Sequence, residues 1–137
     1  MLTDGRSVPL GVAIDGANRH DQTLVRDTLK SLPVRRPRPT KRRPQHLCAD
    51  KGYDAKAVRQ AARRRGYVVH IPRKGEDAKR PHRRHARARR WVVERHHSWT
   101  NRARRLLIRW EKKADNYLAF VHLQFALIAW RTAAVIG

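Results

Sequence analysis

His46-Leu47-Cys48-Ala49-Asp50-Lys51-Gly52-Tyr53-Asp54 is the stretch that decides the fold. The run His46 to Ala49 reads as a short strand. It ends in an acid, and a Gly turn and a helix start follow, so the strand delivers Asp50 at its end. Ala55 to Arg65 reads as that helix, with Gly66 as its C-cap. Tyr67 to Ile71 is another strand, stopped by Pro72. Strand, helix and strand at this spacing make a βαβ unit, and the two strands then pair in parallel.

Upstream of this unit, Asp4-Gly5 is a turn signal and Ser7 to Ile14 reads as a strand closed by Asp15-Gly16. Asn18-Arg19-His20-Asp21 leads into a helix from about Gln22 to Leu32, where Leu24, Val25, Leu29 and Leu32 form one apolar face. Asp21 there is a candidate N-cap, and His20 is a candidate DNA contact or a structural residue. Residues 33–46 form a basic, Pro-rich linker. Its stretch from Pro33 to Pro44 holds four prolines and six Arg or Lys residues, which cannot pack as a regular element. It is expected to be exposed and mobile, either contacting phosphates or acting as a solvated spacer.

Downstream, Arg73 to His85 is a second basic connection. Residues 87–135 read as C-terminal helices: a long one from about Arg87 to Lys113, then Tyr117 to Val135 capped by Asp115 or Asn116. Spacings of three and four place Arg87, Arg90, Trp91, Glu94, His97, Ser98 and Asn101 on one face of the long helix. That face suits a metal-ligating acid flanked by DNA-contacting groups. It equally suits a salt-bridged basic helix in which Glu94 pairs with Arg90. Trp91, Trp99, Trp110 and Trp130, with Leu106, Leu107 and Ile108, are expected to pack helix on helix rather than to stack on bases. The last helix is apolar almost all round. His122, Gln124 and Arg131 interrupt it, so it reads as a buried packing helix and not a membrane span.

The 137 residues suffice for one domain or part of one. With 33 Lys and Arg against 11 Asp and Glu, the net charge is +22, which calls for a polyanionic partner, nucleic acid first. One cysteine, Cys48, excludes an internal disulfide and a Cys-based zinc site, and His46 and Cys48 are not spaced with other soft ligands. The N-terminus lacks the basic-then-apolar order of a signal peptide. A reducing, intracellular location is expected.

Asp50 in Ala49-Asp50-Lys51-Gly52-Tyr53-Asp54, and Glu94 in Arg90-Trp91-Val92-Val93-Glu94, resemble the insertion-sequence transposases of the DDE class. The nearest group is the four/five group, with its signature Tyr-x2-Arg-x3-Glu-x6-Lys. Arg90 stands at the Arg position, Arg87 at the Tyr position and Asn101 at the Lys position, with Arg102 directly after it. Asn18-Arg19-His20-Asp21 matches a further segment of that family. The resemblance implies an α/β, ribonuclease H-like fold and a three-carboxylate site for Mg²⁺ or Mn²⁺. Two such ions cleave and rejoin phosphodiesters by stabilising both attacking and leaving oxygens. Asp50 would take the second place and Glu94 the third, with Arg87, Arg90, His97, Asn101 and Arg102 contacting DNA.

The first Asp of that family lies on its first strand. Asp4-Gly5 matches the turn between the second and third strands, so the first two strands would precede Met1. The expected fold is therefore an incomplete ribonuclease H-like domain spanning 1–137. In it, Ser7 to Ile14 lacks a partner, and His46 to Ala49 lacks its inner neighbour. Such a chain is expected to be inactive alone and to bind metal only when an N-terminal segment completes the site. Its partners would be transposon-end DNA and an N-terminal half or an intact transposase, with no membrane, in the cytoplasm on the nucleoid. The alternative is a non-catalytic, basic DNA-binding remnant of a decayed transposase gene. An unrelated RNA-binding protein would leave the ordered motifs to coincidence.

Overall fold

The computed structural model describes residues 1–16, 18–73, 90–108 and 110–136, with the backbone alone at 90, 135 and 136. The fold is mixed α/β. Its strands are β1 (Leu2–Thr3), β2 (Pro9–Gly11), β3 (Gln45–Cys48) and β4 (Tyr67–His70). Its helices are α1 (Val25–Lys30), α2 (Lys56–Arg64), α3 (Arg90–Asn101), α4 (Arg104–Leu107) and α5 (Ala114–Ile136). Short 3-10 turns cover Asp21–Leu24 and Lys51–Tyr53.

The βαβ unit is present as expected. β3 and β4 pair in parallel, with His46 opposite Val68 and Cys48 opposite His70. Leu47 is buried while His46 and Cys48 are exposed, the period-two alternation of a strand with one covered face. Val58 and Ala62, one helical turn apart on α2, are buried. Gly66 ends the unit's helix in the left-handed region, φ 77°, and its N–H donates to the Arg63 carbonyl. Arg59 fixes helix to strand by donating to Asp54 Oδ1 at 2.7 Å and to the Ile71 carbonyl at 2.8 Å. Asp54 is thus half of an ion pair, not the cap of α2, whose N-cap position is Ala55 without a side-chain bond.

Several expectations are revised. The strand after Asp4 does have a partner: β1 pairs with β2 antiparallel around the Asp4 turn. Asp4 Oδ1 accepts from the N–H groups of Arg6 and Val8 at 2.8 Å each and closes that turn. The described strands form two separate two-stranded sheets, β1–β2 and β3–β4. The long helix is broken. Ala103 is extended at ψ 98°, and just before it Thr100 Oγ1 bonds back to the His96 and His97 carbonyls, a side-chain competition that weakens a helix. The last helix starts at Ala114, so Asp115 and Asn116 lie in its first turn and do not cap it.

α5 is not buried all round. Val121, Phe125 and Ile128 make one buried stripe, and Val121 and Phe125 meet Val12, with Ile14, Leu106, Tyr117 and Leu118 packed around them. Trp91, Trp110 and Trp130 are 51%, 71% and 68% exposed, and Leu107 and Ile108 are exposed too, so these side chains do not make the expected core. The Pro-rich linker is mostly exposed, but Arg36 ties it down. Its guanidinium lies 4.0 Å over the Tyr67 ring and donates to the Arg65 carbonyl. No helix among the described residues is long and apolar enough to cross a membrane.

Candidate functional site

Asp50 follows β3 and stays exposed. It is the N-cap residue of the Lys51–Tyr53 turn, and its Oδ1 accepts from the Gly52 N–H at 2.8 Å. Gly52 leaves room for that bond, because a Cβ at that position would sit 2.9 Å from Asp50 Oδ1 and push the carboxylate aside. One carboxylate oxygen is held by the backbone, and Oδ2 makes no hydrogen bond within the described residues.

Asp50 lines a shallow cleft with Gly52 and Tyr53 on one side and His20, Asp21 and Gln22 on the other. Gln22 Nε2 donates to the Gly52 carbonyl and joins the two sides. Burial first, then the charges of Asp21 and Asp50, push the Tyr53 hydroxyl above its ordinary pKa. Asp21 also faces the Met1 amino group, whose pKa burial lowers against that attraction. Asp21 forms no capping bond; the N-cap position of its turn is His20.

Glu94 lies on the exposed face of α3 with Trp91, His97, Ser98 and Asn101, and makes no ion pair with another described residue. It is not among the residues lining the Asp50 cleft. Arg102 is exposed beyond the end of α3. Arg87 and the side chain of Arg90 lie outside the described residues, and with them the alternative Glu94–Arg90 pair.

Two residues that sequence reasoning passed over hold α3 in place. Arg95 donates to Ser7 Oγ at 3.0 Å and to the Arg6 carbonyl at 2.8 Å, with Trp91 and Trp99 against its guanidinium. His96 is fully buried, and its Nδ1 donates to the Ser7 carbonyl at 3.1 Å. Its ring meets Phe125 edge-on at 5.1 Å, and Nε2 has no partner among the described residues. Burial holds its pKa below 6.5, against the opposing Ser7 bond. Ser7 is itself buried with φ 71°, so the Asp4–Ser7 turn is the seat of the helix that carries Glu94.

Carboxylate oxygen is the donor type that Mg²⁺ prefers, and Asp50 and Glu94 are exposed carboxylates. They do not make a complete cage, since no group of three His, Cys, Asp or Glu among the described residues is placed to hold a metal ion. His46 does meet a second imidazole, since its Nδ1 is 2.8 Å from His70 Nε2 across the parallel strands, but the two form a pair only.

A βαβ unit with a carboxylate at a strand end, followed by a helix with a second exposed acid, places the chain among mixed α/β proteins. The chain belongs to the transposase DDE domain family, which matches residues 47–131. It is also 37% identical over 135 residues to a Burkholderia cepacia protein named as a transposase for insertion sequence element IS402. That match takes in 96% of this chain and 62% of the relative, so the chain spans less than two thirds of that protein's length. No solved structure matches.

Proposed function

We propose that this chain supplies Asp50 and Glu94 to a divalent-metal site for DNA cleavage and strand transfer in transposition, on a ribonuclease H-like framework. The observation that carries this reading is Asp50 itself, an exposed carboxylate at the end of a parallel strand in a βαβ unit, oriented by the Gly52 N–H, within the region the family matches. Mg²⁺ or Mn²⁺ is the metal, held only once a segment from outside completes the site, and its role there would be to stabilise the attacking and leaving oxygens of the phosphodiester. The third carboxylate comes from outside residues 1–137, so the chain by itself is inactive. Within the chain, Asp50 and Glu94 offer oxygen ligands. Arg87, Arg90, His97, Asn101 and Arg102 approach the DNA backbone, with the +22 charge drawing in the polyanion. Transposon ends are the DNA partner, and an N-terminal half or an intact transposase is the protein partner. The same charge keeps the protein on the nucleoid in the cytoplasm.

A second reading is a non-catalytic DNA-binding remnant. Its support is that Glu94 lies outside the Asp50 cleft. Paramagnetic Mn²⁺ separates the two. Under the first reading, in a mixture with the portion of the Burkholderia cepacia relative that lies outside the match, low Mn²⁺ selectively broadens the backbone amide signals of Gly52 and Tyr53, and Asp50→Asn removes the effect. Uniform or absent broadening of the unmutated chain in that mixture supports the remnant.

A further inference from the structure

The segment containing His20 is fixed to the Asp50 loop. Gln22 donates to the Gly52 carbonyl, and the Gly52 N–H in turn donates to Asp50 Oδ1. His20 is held through its backbone, because its carbonyl accepts from both the N–H and the Oγ1 of Thr23, at 2.9 and 2.8 Å. Its imidazole is exposed, makes no hydrogen bond within the described residues, and does not cap the turn that it precedes. A capping role therefore does not account for it.

The chemistry of the cleft narrows its use. A phosphate brought beside Asp21 and Asp50 meets two carboxylates that repel it, and it needs donors in compensation. Of the lining residues, His20, Gln22 and Tyr53 carry side-chain donors. One of the two Gln22 amide N–H groups is engaged with Gly52, and Gln22 and Tyr53 are both part-buried. Of the three, His20 alone is exposed, and its imidazole makes no hydrogen bond within the described residues.

We propose that His20 is a phosphate-contacting residue of the Asp50 cleft, its imidazole N–H donating to a nonbridging oxygen of the bound DNA strand. This rests on the reading of the Asp50 cleft as the place where DNA phosphate is presented. Gln22 is the positioning residue that keeps His20 and Asp50 in one site.

The test is imidazole NMR of the whole chain, titrated with a short DNA duplex. The ring nitrogens of His20 shift more than those of His46, His70 and His122, which lie on β3, β4 and α5. His20→Ala weakens duplex binding about threefold to tenfold at fixed salt, the range for one hydrogen bond, while His122→Ala leaves it unchanged. A His20 shift no larger than that of His122, or equal losses in the two variants, overturns the inference. Mn²⁺ broadening at Gly52 is read separately, in the mixture with the portion of the relative outside the match. Its absence beside an intact His20 shift refutes the metal reading and leaves the phosphate contact standing.

Discussion

Replacing His96 by alanine removes the buried anchor of α3. The loss has three parts. The Nδ1 bond to the Ser7 carbonyl is worth about 0.5–1.5 kcal/mol. The edge-on contact with Phe125, at 5.1 Å, adds about 0.5–1.5 kcal/mol. Emptying a fully buried ring site adds a cavity cost, and large-to-alanine changes in cores cost about 2–5 kcal/mol in all. Against this, the unpartnered Nε2 disappears, which returns about 1 kcal/mol. The expected net destabilisation is about 3 kcal/mol, a large share of a domain's usual margin. Urea denaturation followed by circular dichroism measures it. His97→Ala, one residue on and exposed, is the control and changes stability by less than about 0.5 kcal/mol. Equal, small effects from the two substitutions would refute the placement of His96 in the core and with it the seating of Glu94's helix on the Asp4–Ser7 turn.

The same histidine sets a pH dependence. Its folded pKa is below the 6.5 of a free imidazole, so the unfolded chain binds the extra proton first. Stability is full above about 6.5 and falls as pH drops from there through the folded pKa. Melts from pH 7.5 to 5 show this loss, and His96→Phe flattens it. Gly66→Ala costs more than about 1–2 kcal/mol, because a left-handed φ of 77° is joined by a Cβ only 2.8 Å from Pro39 Cγ; a thermal melt checks it. Gly52→Ala displaces the Asp50 carboxylate from its N–H with little change in melting temperature, and Mn²⁺ titration of the mixture with the portion of the relative outside the match then shows weakened binding at that loop.

The βαβ unit was legible because its signals are local. A period-two run, Gly66 and Pro72 bracket it, and the parallel pairing follows from its length. The break in the long helix was not, because neither Gly nor Pro marks it; Thr100 bonding back to two carbonyls leaves no sign in composition. β1 is two residues long, too short for any period to register. Asp54 precedes a helix as a cap would, yet Arg59 five residues on takes it. The tryptophans looked like core because of their size, and α5's single buried stripe leaves three of the four exposed. At the site, Asp50 could be found from its strand and turn. The joining of His20 to its loop depends on a hydrogen bond between residues thirty apart. The seating of α3 depends on bonds between residues 88 and 89 apart. No window of sequence reveals either.

The central claim is that this chain brings two carboxylates to a site completed from outside it. The direct measurement is cleavage of transposon-end DNA in Mg²⁺ by this chain, alone and together with the portion of the Burkholderia cepacia relative that lies outside the match. The expected result is no cleavage by the chain alone, cleavage by the mixture, and loss of that cleavage with either Asp50→Ala or Glu94→Ala. Cleavage by the mixture that survives both substitutions would contradict it.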